Sequence, residues 1–381
     1  MDRNKITIVG CGLIGGSIAL ALKNRRPSRT VACLDLPERL PALREAGLPA
    51  ELGTLEDTPE HLHDSSIVVL AAPVQAILEL LERIAPHLRP GTVVTDVGST
   101  KKAVMERARF CIPDNIQFIG GHPIAGSERS GVEAADPLLF SERFWALCPY
   151  DDTPPAALLA VMDMVEDLLA LPLAIDPEEH DRIMAVVSHL PQLVAVALMH
   201  AAMRADAAHG MMEILAGRAF LDLTRIAASD FEMWKGILET NGAAIGEALD
   251  RFARSLSELR AALAAGDAAL LWEQVARRRR TMGADNPPRS RKTDLRLIVD
   301  RCDKQLLGAL AARMQVVRRI GRLKMNQQAP VRDPERERHL MDRRSEWGKA
   351  LGLPQDLIDE LFAVILRHSS RLQSPAAPGA Q

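Results

Sequence analysis

Three groups of residues in this 381-residue chain have types and spacings suited to chemistry. The first lies in KITIVGCGLIGGS, where Gly10, Gly12 and Gly15 stand between an apolar β-branched run and an apolar helical run. Glycines so placed allow a tight turn and close approach of backbone to a pyrophosphate. The N–H groups around Leu13 and Ile14 then open a helix whose dipole favours an anion. Asp35 follows at the end of a second β-branched run. Its carboxylate can accept from a ribose 2′-hydroxyl and would repel a 2′-phosphate, which favours NAD over NADP. The second group is His122 in GGHPIAGSERSG, with Ser99 in the earlier string TDVGSTKK. An imidazole titrates near neutrality and suits a general base. Ser99 could orient it or bind the same substrate hydroxyl. His122 taken alone could also be a structural loop histidine. The third group is a line of basic residues near the C-terminus that could hold a small anion.

The elements that must position these groups follow from pattern. KITIVG, TVACLD, SIVVLAAP, TVVTDVGS, QFIGGHP and FWALCPY read as strands between amphipathic stretches over residues 5–150. Unbroken apolar strands suit a sheet covered on both faces, so residues 1–152 are expected to form a Rossmann-type doubly wound α/β domain. From 153 to 280 the apolar residues recur at helical spacing, and an all-α domain is expected. The polar stretch 281–292, with Pro287 and Pro288, reads as a linker. Residues 293–375 read as a second all-α domain, and 376–381 as a frayed tail.

Composition limits the function classes. The chain is 47% apolar and 25% charged, which excludes global disorder and a fibre. Residues from 281 onward hold 19 Lys/Arg against 12 Asp/Glu, so a basic end is attached to an acidic body. That end calls for an anionic partner, large or small. The five cysteines are scattered with no CxxC pair, so neither a metal site nor a disulfide framework is expected. With no apolar segment at the N-terminus, this usage fits a reducing cytoplasm. Residues 183–203 carry no Asp, Glu, Lys or Arg but do carry Ser188, His189, Pro191, Gln192 and His200. A buried or interface helix is expected there, not a membrane span.

The strings GCGLIGGS, DVGSTKK, GGHPIAGSERSG, VSHLPQ and DLTRIAASD, in this order, resemble prephenate and arogenate dehydrogenases over roughly residues 5–280. The resemblance implies NAD-dependent oxidative decarboxylation, with His122 taking the proton of the ring hydroxyl and Ser99 hydrogen-bonding at the same end. It places Glu128 at the pocket mouth, His189 along the substrate, and Arg225 on a substrate carboxylate with Asp222 nearby. A bidentate guanidinium–carboxylate clamp agrees with general physics. AGRAFLDLTR departs from the glycine-rich run common in that family before DLTR.

In the C-terminal piece, Leu295, Ile298, Cys302, Leu306, Leu310, Met314, Val317, Ile320 and Leu323 recur every three or four residues. They describe a helix of roughly 33 residues, about 50 Å long, which pairing with a second chain would cover. Arg313 and Lys324 fall about 20° apart on it and ~16 Å along the axis, so both can reach one anion. Arg296 and Arg313 are about 100° out of phase and ~25 Å apart, so one helix cannot bring both to one site. Asp333 and Pro334 read as the cap and first turn of the next helix, with Arg336 and Glu337 close to its start. Ser369 and Gln373 share a face of the last. This piece resembles the all-helical type II chorismate mutase domain. The resemblance implies that Arg313, Lys324 and Arg296 of the partner subunit bind carboxylates. Lys324 and Gln373 would donate to the ether oxygen, Glu337 and Asp333 would meet the ring hydroxyl, and Arg336 and Ser369 would complete the cage.

One activity would make prephenate and the other would consume it, so the expectation is a bifunctional enzyme of tyrosine biosynthesis acting on chorismate and prephenate. A homodimer with mutase sites shared between chains is expected, and neither nucleic acid nor membrane as partner. The alternatives are an arogenate or cyclohexadienyl dehydrogenase, another NAD-dependent hydroxyacid dehydrogenase, and a nucleotide-sensing nucleic-acid binder. The last rests on the basic end and on RRRR at 277–280.

Overall fold

The computed structural model describes residues 5–56, 60–125, 129–206, 210–284, 334–350 and 352–373, with 303, 306, 310, 313, 314, 317, 318, 321 and 324. The chain forms two compact units, residues 1–265 and 266–381.

The first unit is built on one sheet of eight strands in the order β3-β2-β1-β4-β5-β6-β7-β8. The strands are β1 (Lys5–Val9), β2 (Thr30–Leu34), β3 (Glu51–Gly53), β4 (Ile67–Leu70), β5 (Val93–Asp96), β6 (Gln117–Pro123), β7 (Phe144–Cys148) and β8 (Leu171–Ala174). All neighbours pair in parallel except β6 and β7. Alternate residues of one strand enter opposite cores, as the pleat requires. Ile67 and Val69 join the core under the helices Leu13–Arg25 and Pro155–Asp167, and Val68 and Leu70 join the core under Val74–Ile84 and Lys102–Cys111. This double burial explains the unbroken apolar strands.

The expectation of helices alone after residue 153 is corrected at Leu171–Ala174. This segment pairs with β7, and the Pro155–Asp167 helix packs Val161, Met164 and Val165 into the sheet's core. The sheet therefore runs past residue 152. A proline at position 172 masks the strand in sequence, and β8 tolerates it because it is an edge strand with one neighbour.

Beyond the sheet a helical run spans Pro177–Met184, a π-helical turn at Ala185–His189, and Leu190–Asp206. By length and composition Pro177–Ala205 is apolar enough to cross a membrane. It nevertheless holds His180, Asp181 and His189, all buried and polar. The helices Phe231–Thr240 and Gly242–Ala265 follow, and Ile237, Ile245 and Ala248 reach the second core.

In the second unit the helices are Ala268–Ala284, Pro334–Ala350 and Gln355–Gln373. Residues 281–284, expected in the linker, continue the first of these; the rest of 281–292 lies outside the described residues. The described positions between Asp303 and Lys324 are all helical. Helix Pro334–Ala350 begins where the Asp-Pro pair predicts, and Arg344 stacks over Phe362 of the last helix, 4.5 Å from the ring centroid.

Candidate active site

The strand registers put the candidate groups of the first unit on one rim. Val9 pairs with Leu70 and Leu70 with Asp96, while Thr95 pairs with Ile119. The loops after β1, β4 and β5 and the end of β6 therefore open on the same carboxyl edge. Strand order reverses between β1 and β4, the place where open α/β sheets bind ligands.

At that point the Gly10–Gly15 turn leads into helix Leu13–Arg25. Gly10 has φ +92°, and a Cβ on it would lie 2.5 Å from the Ala71 carbonyl oxygen. Gly12 is the N-cap residue and provides no side-chain cap; a Cβ there would meet nothing within 4 Å. The helix thus starts with N–H groups facing open space, a cradle that fits a pyrophosphate. Leu13 and Ile14 form its first turn, half-buried, and Gly15 is buried. Asp35 sits beside the turn, accepting from the Cys11 N–H (2.6 Å) and the Leu36 N–H (2.8 Å).

His122 is the penultimate residue of β6 and is buried (8% exposed). Its Nδ1 lies 2.9 Å from His180 Nε2, and His180 Nδ1 lies 2.8 Å from Asp181 Oδ1. The Asp181 carboxylate also accepts from the backbone N–H of Lys101 (2.7 Å) and of Lys102 (2.9 Å), where helix Lys102–Cys111 begins. Asn241 Nδ2 donates to the Asp181 carbonyl (2.8 Å) and lies 3.2 Å from His189 Nδ1. The π-helical turn sets His189, 1% exposed, edge-on to Trp234 with centroids 5.9 Å apart. His189 Nε2 is buried without a hydrogen-bond partner in the structure.

Burial and the charges around them keep His122 and His189 neutral. Burial, then His180, Lys101 and His189, hold His122 well below the ordinary imidazole value. Burial pushes His189 down to about 4, with Asp181 opposing and His180 adding a smaller push. Lys101 is wholly buried and bonds Asp96 Oδ2 and the Gly121 carbonyl (2.7 Å). Asp96 in turn accepts from the N–H groups of Gly98 (2.8 Å) and Gly121 (2.9 Å). This buried pair ties β5 to β6 directly behind His122. A Cβ on Gly121 would lie 2.3 Å from the Asp96 carbonyl oxygen, which accounts for the glycine preceding the histidine.

Ser99 is half-buried on the loop after β5. The group that meets His122 Nδ1 is His180, a residue with no motif of its own, and not Ser99. Arg225 opens a 3-10 turn after helix Arg218–Thr224 and is exposed, as is Asp222. Gln192, one helical turn beyond His189, donates to the Ile226 carbonyl (2.9 Å) and so anchors the Arg225 turn near that histidine. Glu128 lies outside the described residues. Among the described residues, no group of three or more His, Cys, Asp or Glu is placed to hold a metal ion.

In the second unit Arg313 Nη1 donates to Ser369 Oγ (2.6 Å), and Ser369 is buried. Lys324 is half-buried. Burial lowers the Arg313 guanidinium, and burial and then Arg313 lower that of Arg344. Arg296 and Asp333, and the side chains of Arg336, Glu337 and Gln373, lie outside the described residues.

A switch-point cradle that fits a pyrophosphate, on the same sheet rim as a neutral buried histidine, is the arrangement of a dinucleotide-dependent oxidoreductase. Comparison with known proteins narrows the class. Residues 18–171 match the prephenate dehydrogenase nucleotide-binding domain, 176–277 the prephenate dehydrogenase dimerization domain, and 295–374 type II chorismate mutase. The prephenate dehydrogenase of Bacillus subtilis is 34% identical over 275 residues, 71% of this chain and 73% of that protein. The crystal structure of Aquifex aeolicus prephenate dehydrogenase with hydroxyphenyl propionate and NAD+ superimposes with a TM-score of 0.69 at 29% identity. It covers 73% of this chain and 98% of that one. The bifunctional chorismate mutase/prephenate dehydratase of Escherichia coli is 37% identical over 75 residues, 20% of this chain and 19% of that protein. The chain belongs to the prephenate dehydrogenase family and carries a type II chorismate mutase domain after the dehydrogenase domains.

Proposed function

We propose that the chain catalyses two consecutive steps of tyrosine biosynthesis: chorismate to prephenate in the second unit, and NAD-dependent oxidative decarboxylation of prephenate to 4-hydroxyphenylpyruvate in the first. The observation that carries the reading is a buried, uncharged His122 on the rim that also carries the glycine cradle, in a chain whose family match spans both dehydrogenase domains.

NAD, bound at the cradle with Asp35 toward its ribose, supplies the acceptor for the hydride on the ring carbon that bears the hydroxyl. His122 takes the hydroxyl proton, leaving a ring ketone. Electrons from the departing carboxylate then flow into the ring, carbon dioxide leaves, and the proton returns from His122 to the phenolic oxygen. Ser99 meets the hydroxyl end. His189 offers its unpaired Nε2 to the substrate, Arg225 clamps a carboxylate with Asp222 beside it, and Glu128 stands at the mouth.

The mutase step needs no acid, base or nucleophile. Holding a compact dianionic conformer and stabilising the breaking ether suffice. Arg313, with Ser369 against its guanidinium, and Lys324 hold one end. Arg296 of the partner subunit, Asp333, Arg336, Glu337 and Gln373 complete the cage. Homodimerisation is supported by the matched dimerization domain and by large apolar side chains exposed on its helices, including Val187, Val196, Met203, Leu256 and Leu263. The same face accounts for the apolar Pro177–Ala205 run without a membrane, in a cytoplasmic enzyme with no nucleic-acid partner.

Chorismate and NAD supplied together to the purified chain should give chorismate loss followed by NADH gain. A preparation that consumes chorismate but never reduces NAD, even with prephenate added, would refute the dehydrogenase half.

A further inference from the structure

We infer that His180 and Asp181 are positioning residues that fix the tautomer of His122, so that its Nε2 faces the substrate as a free base. The inference rests on the dehydrogenase reading and extends it to two buried side chains that act through His122.

The direction of each hydrogen bond follows from its far end. The Asp181 carboxylate accepts backbone N–H groups from Lys101 and Lys102, which can only donate. It is therefore an acceptor toward His180 as well, and His180 Nδ1 carries the hydrogen. With no second hydrogen on that ring, its Nε2 is a lone pair. The group facing that lone pair at 2.9 Å, His122 Nδ1, must be the donor. A neutral imidazole with hydrogen on Nδ1 has its lone pair on Nε2, the form that can take a hydroxyl proton. When His122 accepts that proton, both its nitrogens donate, and the bond to His180 persists without rearrangement. Asp181, 4% exposed, then sets a negative charge one imidazole away from the new positive one.

The surroundings fix Asp181 independently of the histidines. Two backbone donors hold its carboxylate at the start of helix Lys102–Cys111, and Asn241 holds its carbonyl. The titratable groups that act on His122 are His180 and His189 from the helical run and Lys101 from the segment after β5. Lys101 is neutralised by Asp96, so Asp181 supplies the compensating charge along the hydrogen-bonded line.

The experiment compares His180→Leu, His180→Gln and Asp181→Asn in the full chain, with NAD affinity as the check on folding of the first unit. Glutamine can accept from His122 and donate to Asp181; leucine can do neither. His180→Leu should lower kcat of prephenate oxidation by ~100-fold or more while KM moves less than about threefold, and His180→Gln should recover kcat to within about tenfold of wild type. Asp181→Asn should lower kcat comparably. It should also move the acid limb of kcat to lower pH, because a carboxylate that stabilised the imidazolium is gone. Wild-type kcat in His180→Leu, or equal loss in the leucine and glutamine variants, overturns the inference. If His180→Leu fails to bind NAD, an unmoved acid limb in Asp181→Asn overturns it. Wild-type protein that does not oxidise prephenate refutes the dehydrogenase reading instead.

Discussion

His122 concentrates the chemistry of the first unit in one nitrogen. Asparagine at this position keeps a hydrogen-bonding group but cannot hold a transferable proton. His122→Asn should therefore cut NADH formation from prephenate by ~10²–10⁴-fold and leave chorismate loss unchanged, as read in parallel assays. His189 makes a prediction about stability. Burial, opposed by Asp181 and aided to a smaller extent by His180, brings its value from the ordinary 6.5 to about 4. The unfolded chain therefore binds more protons between those pH values, and stability falls as pH drops from 6.5 toward 4. The full contribution is present above pH 6.5, and about 3 kcal/mol is lost at the low end. Urea midpoints at pH 7 and pH 4.5 should differ in this sense, and His189→Gln should flatten the difference.

At the scale of elements, Asn241 joins pieces that sequence keeps far apart. It caps the approach of helix Phe231–Thr240 to the Pro177–Met184 helix and to the π-helical turn. Asn241→Leu leaves the buried Asp181 carbonyl and His189 Nδ1 without this donor. It should cost about 1–3 kcal/mol in urea unfolding and lower kcat more than it changes NAD affinity. The same junction shows what sequence could and could not reveal. Gly10, Gly12, Gly15, Asp35 and His122 were legible because each sits at a strand end or in the turn and helix start that follow one, where local pattern dictates both element and rim. His180 and Asp181 were not, because PEEHDR reads as an ordinary helix start and gains its meaning only against β6 and the start of helix Lys102–Cys111. The π-helical turn before Leu190 shifts helical phase, so 3.6-residue spacing cannot align His180 with His189. Strand β8 was hidden by Pro172, and β3 by its three-residue length, both at sheet edges where pairing tolerates weak signals.

For the whole molecule, phase on the C-terminal helix makes an assembly prediction. Arg313 already meets Ser369 within one chain. On an ideal helix Lys324 would share a face with Arg313, whereas sequence spacing would put Arg296 about 100° away and ~25 Å along the axis. A dimer resolves this if each mutase site takes Arg313 and Lys324 from one chain and Arg296 from the other. Arg296→Ala and Lys324→Ala homodimers then have two damaged sites each. A mixed dimer has one site with both lesions and one with neither. Refolding the two variants together at equal concentration makes about half the dimers mixed under random pairing, so about a quarter of all sites should be intact. Mutase activity should rise from near zero in each parent to about a quarter of wild type, while dehydrogenase activity stays at the parental level throughout. Mixed dimers, isolated by two different affinity tags, should show half the wild-type mutase rate per dimer. A tagged mixed dimer as inactive as its parents would place Arg296 and Lys324 in the same chain's site, against the geometry of a straight helix.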